Sequence, residues 1–274
     1  MTIAVDTRTA ARPYRVFRVV VQATQRLSPT FLRVTFTGPD LDQFADNGFD
    51  QRVVLILPLP ELGFDHLPTW ENWHPTWRSL PPEHRNPLRT YTVRAVRQHQ
   101  HEVDVDVVLH PHGAASRWAE AATPGQAAAL LGPDSASPEA RAGVEFQRPD
   151  DTGPVLLVGD ETAVPAIAAI LERLPSDARG EALLEVPCAE DALDLRAPAD
   201  VRVSWLPRCG GEVGAELGLV LPSAAERLLD GPAEPYVWVA GEAAMVRHVR
   251  HHLINERELD RRCVSCRGYW RRPR

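Results

Sequence analysis

The hydrophobic pattern of this chain changes its period once, near residue 150, and that change restricts the architecture more than any other feature. Before it, short apolar stretches are separated by turns. Residues 14–22 and 31–37 mix β-branched with aromatic side chains, and the second stretch ends at Gly38-Pro39. Arg52–Leu57 is a near-continuous apolar run stopped by Pro58, the pattern of a buried strand. Val103, Val105, Val107 and Leu109 alternate with Asp104 and Asp106, giving one apolar and one polar face. After Pro149-Asp150-Asp151-Thr152-Gly153 the pattern differs. Val155–Val158 reads as a buried strand, and Pro165 opens a helix whose Ile167, Ile170, Leu171 and Leu174 share one face. Strands follow at 182–186, 201–205 and 236–240, and a further helix carries Val246, Val249 and Leu253. A series of antiparallel strands predicts a small barrel, and strand–helix alternation predicts a parallel sheet with helices on its faces. The expected fold class is therefore β followed by α/β. The barrel domain is placed at 12–150, the α/β domain at 151–262, and a C-terminal tail at 263–274, with no internal repeats.

At 274 residues the chain is long enough for two ordinary domains. With 30 basic and 37 acidic residues its formal net charge is -7, which argues against general nucleic-acid binding. No apolar run reaches the ~20 residues of a membrane span, so no membrane insertion is expected. Met1–Arg15 has no hydrophobic signal region and reads as a polar tail. Cys188, Cys209, Cys263 and Cys266 are too few for a disulfide framework, and a cytoplasmic location follows as the expectation. All 30 cationic side chains are arginines. High-GC codon usage explains that, with the consequence that any cationic site must be built from guanidinium groups. His248, His251 and His252 precede Cys263-x-x-Cys266, but only His248 and His252 are four apart and no second C-x-x-C exists, so no metal site is expected. Residues 58–87 hold seven prolines and three tryptophans (Trp70, Trp73, Trp77) without periodicity, a long loop whose tryptophans favour packing.

Four segments carry chemistry. In Arg89-Thr90-Tyr91-Thr92 a strand places Arg89 and Tyr91 on one side and Thr92 on the other. A guanidinium, a ring and a hydroxyl can together hold a flavin, although the same residues are also ordinary strand composition. His110-Pro111-His112-Gly113-Ala114-Ala115-Ser116-Arg117 leads from a strand into a helical turn, where backbone N–H groups attract phosphate; a plain turn capped by Ser116 is the alternative. Gly159-Asp160-Glu161-Thr162 follows the first parallel strand, at the position where open α/β sheets bind dinucleotides, without the G-x-G-x-x-G fingerprint. Ala240-Gly241-Glu242 again runs from a strand through glycine into a helix.

Together with Gly268-Tyr269-Trp270-Arg271, these segments resemble, in order and over about Tyr14 to Arg271, the siderophore-interacting protein family, which are FAD-dependent ferric-siderophore reductases within the ferredoxin–NADP reductase-like superfamily. The resemblance implies an FAD-binding barrel followed by a domain for NADH or NADPH. It implies Arg89 on the FAD phosphates, Tyr91 beside the isoalloxazine and Thr92 near its reactive nitrogen, with His110, Gly113, Ala115, Ser116 and Arg117 completing the site. Gly159, Asp160, Glu161, Thr162, Ala240, Gly241 and Glu242 would receive the nicotinamide nucleotide, and Tyr269 and Trp270 would join the cofactor site. No residue is expected to act as acid, base or nucleophile. The family often has a lysine where this chain has Val53-Val54, so Arg52, Arg117 and Arg247 are the candidates for docking an anionic ferric siderophore. Exchange of electrons with a ferredoxin or flavodoxin, and binding of siderophore or flavin without turnover, are the alternatives. Arg208 reads as a solvated surface arginine or as a partner for a 2′-phosphate.

Overall fold

The computed structural model describes residues 13–68, 73–110, 113–137, 143–229, 231 and 233–272. Most of the expected polar N-terminal tail, Trp70, Pro111 and His112 lie outside them. Six antiparallel strands, β1 (Tyr14–Arg26), β2 (Phe31–Thr37), β3 (Arg52–Ile56), β4 (Leu88–Arg97), β5 (Glu102–Val108) and β6 (Ala127–Pro133), close into a barrel in the order β1-β2-β5-β4-β3-β6. The strand β6 has no counterpart in the sequence reading. Ala128–Pro133 is buried throughout, so it lacks the alternation that marks a half-exposed strand, yet it closes the barrel by pairing with both β1 and β3.

The polar face expected of β5 is not solvated. Val103, Val105 and Val107 fill the barrel core with no exposed surface, but Asp104 and Asp106 are also buried, at 4% and 3%. Arginines from neighbouring strands make this tolerable. Arg97 forks onto Asp104 with two 2.7 Å bonds and Thr35 adds a third, while Arg33 grips Asp106 at 2.7 and 2.8 Å. Within the 58–87 loop, α1 (Trp73–Ser79) forms a short helix. Both described tryptophans pack there. Trp73 joins the cluster of Ile56, Leu67 and Ala129, and the Trp77 indole donates to the Asn86 carbonyl at 3.1 Å. A second short helix, α2 (Ala114–Glu120), links β5 to β6.

The second half is a five-stranded sheet of β7 (Val155–Gly159), β8 (Arg179–Val186), β9 (Asp200–Pro207), β10 (Tyr236–Glu242) and β11 (Val264–Trp270). Their order is β11-β10-β7-β8-β9 and every neighbouring pair is parallel. The fold class is the one expected, a barrel followed by α/β. Of its helices, α3 (Val164–Arg173) packs on the face toward the barrel, while α4 (Ala215–Leu229) and α5 (Ala243–His251) cover the other. The helix α4 escapes a sequence reading because Gly218 and Pro222 interrupt its stripe of Leu217, Leu221, Ala224 and Ala225.

One boundary is corrected. Most of the expected tail at 263–274 is regular structure, because Val264–Trp270 is the edge strand of the sheet. Its alternation shows why: Val264 and Cys266 pack with α5, whereas Ser265, Arg267 and Tyr269 face the barrel side.

Apolar and polar contacts join the two halves. Phe31, Val108 and Phe146 enter the same core as α3. Asp191, fully buried, accepts from the Ser28 hydroxyl at 2.6 Å, the Thr30 N–H at 2.9 Å and the Thr30 hydroxyl at 2.7 Å. Arg94 of β4 forks onto Glu172 of α3 at 2.9 and 2.6 Å. Among the described residues no helix is long and apolar enough to cross a membrane.

Candidate active site

A cavity of about 490 Å³ lies where the barrel meets the sheet. Strand β4 supplies Arg89, Thr90, Tyr91 and Thr92; the chain leaving β5 supplies His110; the turn before α3 supplies Thr162 and α3 itself Pro165; β11 supplies Arg267, Gly268, Tyr269 and Trp270. Arg52, paired with Thr92 in the β3–β4 register, and Glu145 complete one wall. The volume falls in the range of small-molecule sites, about 300–1,000 Å³. Three aromatic rings converge on it. The Trp270 ring lies 6.1 Å from His110, and the Trp270 indole N–H donates to Asp160 at 2.8 Å. Burial pushes the Tyr91 phenol up to about 12, against the pull of Arg89, and burial with the nearby Asp50 carboxyl pushes the Tyr269 phenol up as well. Both stay neutral, and the Tyr269 hydroxyl is bonded to the side chain of the buried Thr92.

The charge of the cavity is set by three arginines. Arg52 and Arg267 share the carboxylate of Glu145, Arg52 at 3.2 Å. Arg89 is exposed and forms no ion pair with any described residue; its guanidinium reaches the Leu88 carbonyl at 2.7 Å. Glu145 is held by its backbone. Asp50, buried at the barrel end, accepts from the N–H groups of Glu145 and Phe146 and from the Trp238 indole. Asp106 also lines the cavity but is neutralised by Arg33. Three guanidinium groups therefore face one shared carboxylate.

Residues 20–137 match the family model described as the siderophore-interacting FAD-binding domain, and residues 152–273 match that of the siderophore-interacting protein. The chain belongs to the siderophore-interacting protein family. Relatives include the ferric vibriobactin reductase ViuB of Vibrio cholerae, 33% identical over 90% of this chain and 86% of that protein. The NADPH-dependent ferric-chelate reductase of Escherichia coli is 28% identical over 92% and 91%. The crystal structure of a siderophore utilization protein from T. fusca superposes with a TM-score of 0.79, at 31% identity, over 96% of this chain and 95% of that one.

Within this family framework the sequence-derived candidates separate into three groups. Arg52, Arg89, Tyr91, Thr92, His110, Thr162, Tyr269 and Trp270 come together in the cavity. A second group holds the chain in shape. Ser116 is 3% exposed, accepts from the His110 N–H at 2.9 Å and donates to the Val108 carbonyl, stapling the turn before α2. Gly113 caps α2, and Ala115 packs into the barrel core. Asp160 has no exposed surface and accepts from the Thr162 N–H (2.9 Å) and hydroxyl (2.5 Å), the Glu242 N–H (2.6 Å) and Trp270. Glu161 is gripped by Arg208 at 2.7 and 2.9 Å. Gly159 leaves no room for a side chain, since a Cβ would stand 2.4 Å from that of Ala163; Ala240 is buried in the core, and Gly241, at φ +142°, would set a Cβ 2.6 Å from Asp160. The third group is separated from the cavity. Arg247 and Glu242 line a different cavity, and exposed Arg117 on α2 lines neither, so Arg52, Arg117 and Arg247 are not one cationic cluster.

Arg208 is corrected on both readings. It is 9% exposed and committed to Glu161, with Glu185 at 3.6 Å, and is neither solvated nor available to a phosphate. The sequence reading missed Arg267 and Glu145. Arg267 was within reach, two residues from Tyr269 and so on the same face of a strand, had 263–270 been read as one. Glu145 carries no local signal, because it is placed by Asp50, 95 residues earlier.

Proposed function

We propose that this chain is an oxidoreductase that binds FAD at the joint of its two halves, takes electrons from NADH or NADPH, and reduces ferric iron held by an anionic siderophore. The observation that carries the reading is the gathering of Arg52, Arg89 and Arg267 beside Tyr91, Tyr269 and Trp270 in one cavity. The names of the Vibrio and Escherichia relatives support a ferric complex as substrate.

The residues present fit a flavin. A flat ring system needs aromatic faces and neutral hydrogen-bonding groups at its edge, and Tyr91, Tyr269, Thr90 and Thr92 provide both. When bound, FAD accepts both electrons of a hydride and releases them singly, which matches a two-electron donor to one-electron ferric centres. The chain's own part is binding and electrostatics. Arg89, free of any ion pair with described residues, is the group for the FAD phosphates. Tyr91 and Tyr269 remain protonated throughout the physiological range and exchange no proton with the site. Arg52 and Arg267 attract the anionic complex, and Glu145 fixes both guanidinium groups and moderates their charge. In a chain without lysine these two arginines take the place of the cation expected near Val53-Val54. Oxygen ligands hold ferrous iron more weakly than ferric iron, so reduction releases the metal.

The test is anaerobic. FAD-loaded protein is mixed with NADH or NADPH and a ferric siderophore in the presence of a ferrous-specific chelator. Ferrous iron that requires both protein and nucleotide is the expected result. Failure to retain FAD under any reconstitution would sink the reading, and reduction of a ferredoxin but of no ferric complex would replace it with the electron-carrier alternative.

A further inference from the structure

We propose that Arg247, Arg271 and Arg272 form a binding site for the 2′-phosphate of NADPH and make this chain selective for NADPH over NADH. The inference rests on the reading of the chain as a pyridine-nucleotide-dependent reductase and deepens it.

A second cavity, of about 480 Å³, lies at the carboxyl edge of the parallel sheet. Its floor is the first turn of α5, with Glu242, Ala244, Met245 and Arg247; its walls are Glu212 and Val213 before α4, and Arg271 and Arg272 just past β11. Open α/β sheets bind dinucleotides at this edge, at the point where successive helices change faces. That point here lies between β7, followed by α3 on the barrel side, and β10, followed by α5 on the other. Arg271 and Arg272 continue directly from Trp270, which lines the flavin cavity, so the two cavities flank the same strand end.

Two of the three guanidinium groups have no counter-ion among the described residues. Arg247 and Arg271 are exposed and form no ion pair with any described residue. The Arg272 side chain makes only long hydrogen bonds, 3.5 Å to Glu212 and 3.5 Å to the Val213 carbonyl, while its backbone N–H donates to Glu242 and its charge lies near that carboxylate. Of the two acids, Glu212 is 87% exposed and Glu242 is engaged. Its carboxylate accepts from the Ala244 and Met245 N–H groups at 2.5 and 3.0 Å, capping α5. The helix N-terminus is thus closed by the protein, and any pull on an anion comes from the guanidinium groups. Three arginines around a concave pocket suit a compact dianion, because each can fork onto a phosphate monoester.

The usual readers of the ribose are engaged elsewhere. Arg208 is locked onto Glu161. Glu185, the acid at the end of β8 where a free ribose hydroxyl would be bonded, is fully buried and caps α4 through the N–H groups of Gly214, Glu216 and Leu217. A flat acidic protein partner fits the cavity less well than a small anion, because the arginines line a recess.

The probe is 2′,5′-ADP against 5′-AMP, titrated by calorimetry into the FAD-loaded protein; the two differ in the phosphate alone. Wild type should bind 2′,5′-ADP at least tenfold more tightly. In Arg247→Ala/Arg271→Ala that preference should vanish, with 5′-AMP affinity held within twofold, while Arg179→Ala, remote on the surface, keeps it. Equal binding of the two nucleotides by wild type, binding of neither, or a preference that survives in the double variant would overturn the proposal. Its failure is distinguishable from failure of the functional reading. Flavin reduction by NADH as fast as by NADPH, with equal nucleotide binding, removes this site and leaves the reductase; no reduction by either nucleotide removes the reductase.

Discussion

Asp160 stands at the end of β7 with no exposed surface and four donors around it, and it shows how much of this site is positioning. Burial, with Glu161 adjacent, raises its carboxyl to about 6. A folded-state value above the unfolded 3.8 means the native state binds the extra proton between the two. Its contribution to stability is therefore full below about pH 4 and is lost as pH rises through about 6. Chemical denaturation from pH 4 to 6.5 should show this as a falling component of about 1.4 kcal/mol per pH unit, absent from Asp160→Asn. Arg208 is the complementary case. Its removal leaves Glu161 and Glu185, at 4% and 0% exposure, without their cation. Arg208→Ala should cost about 3–5 kcal/mol, measured by urea unfolding without nucleotide, so the loss reports the pair and not ligand binding. Neither role was legible in sequence, because Glu161 and Arg208 lie 47 residues apart and only the fold joins them.

At the scale of elements, legibility followed exposure. Strands with one wet face or a dense β-branched run, such as β2, β3 and β7, announced themselves. The strand β6 was hidden by burial on both faces, α4 by an internal proline and glycine, and β11 by its small and polar residues. Missing β11 also concealed Arg267, and with it the true partner of Arg52. The R-x-Y-T strand and the Tyr269-Trp270 pair were legible as motifs, but only the topology brings them into one cavity. The turn from β10 into α5 is a close-packed joint between elements. Gly241 holds φ +142° with no room beside Asp160. Gly241→Ala should cost about 1–3 kcal/mol and displace Trp270 from Asp160, seen as a lower thermal midpoint together with a shifted tryptophan emission.

For the whole molecule, the relation of barrel to sheet decides whether the flavin cavity exists, since its walls come from both. Asp191 is a buried polar tie between them. Burial opposes its charge, but bonds from Ser28, Thr30 and Cys188 outweigh that and hold its carboxyl below the usual range. Its contribution is present above about pH 4 and lost as pH falls further. Asp191→Ala strands the Ser28 and Thr30 donors and should cost about 2–3 kcal/mol, with faster proteolysis between the two halves as the check. The most direct measurement on the molecule as a reductase compares wild type with Arg52→Gln/Arg267→Gln, both FAD-loaded and reduced anaerobically by the same nucleotide before mixing with an anionic ferric siderophore. We expect flavin reduction within twofold in the two proteins and at least a tenfold slower appearance of ferrous iron in the variant. Equal rates of ferrous iron formation would contradict the assignment of Arg52 and Arg267 to the docking of the iron complex.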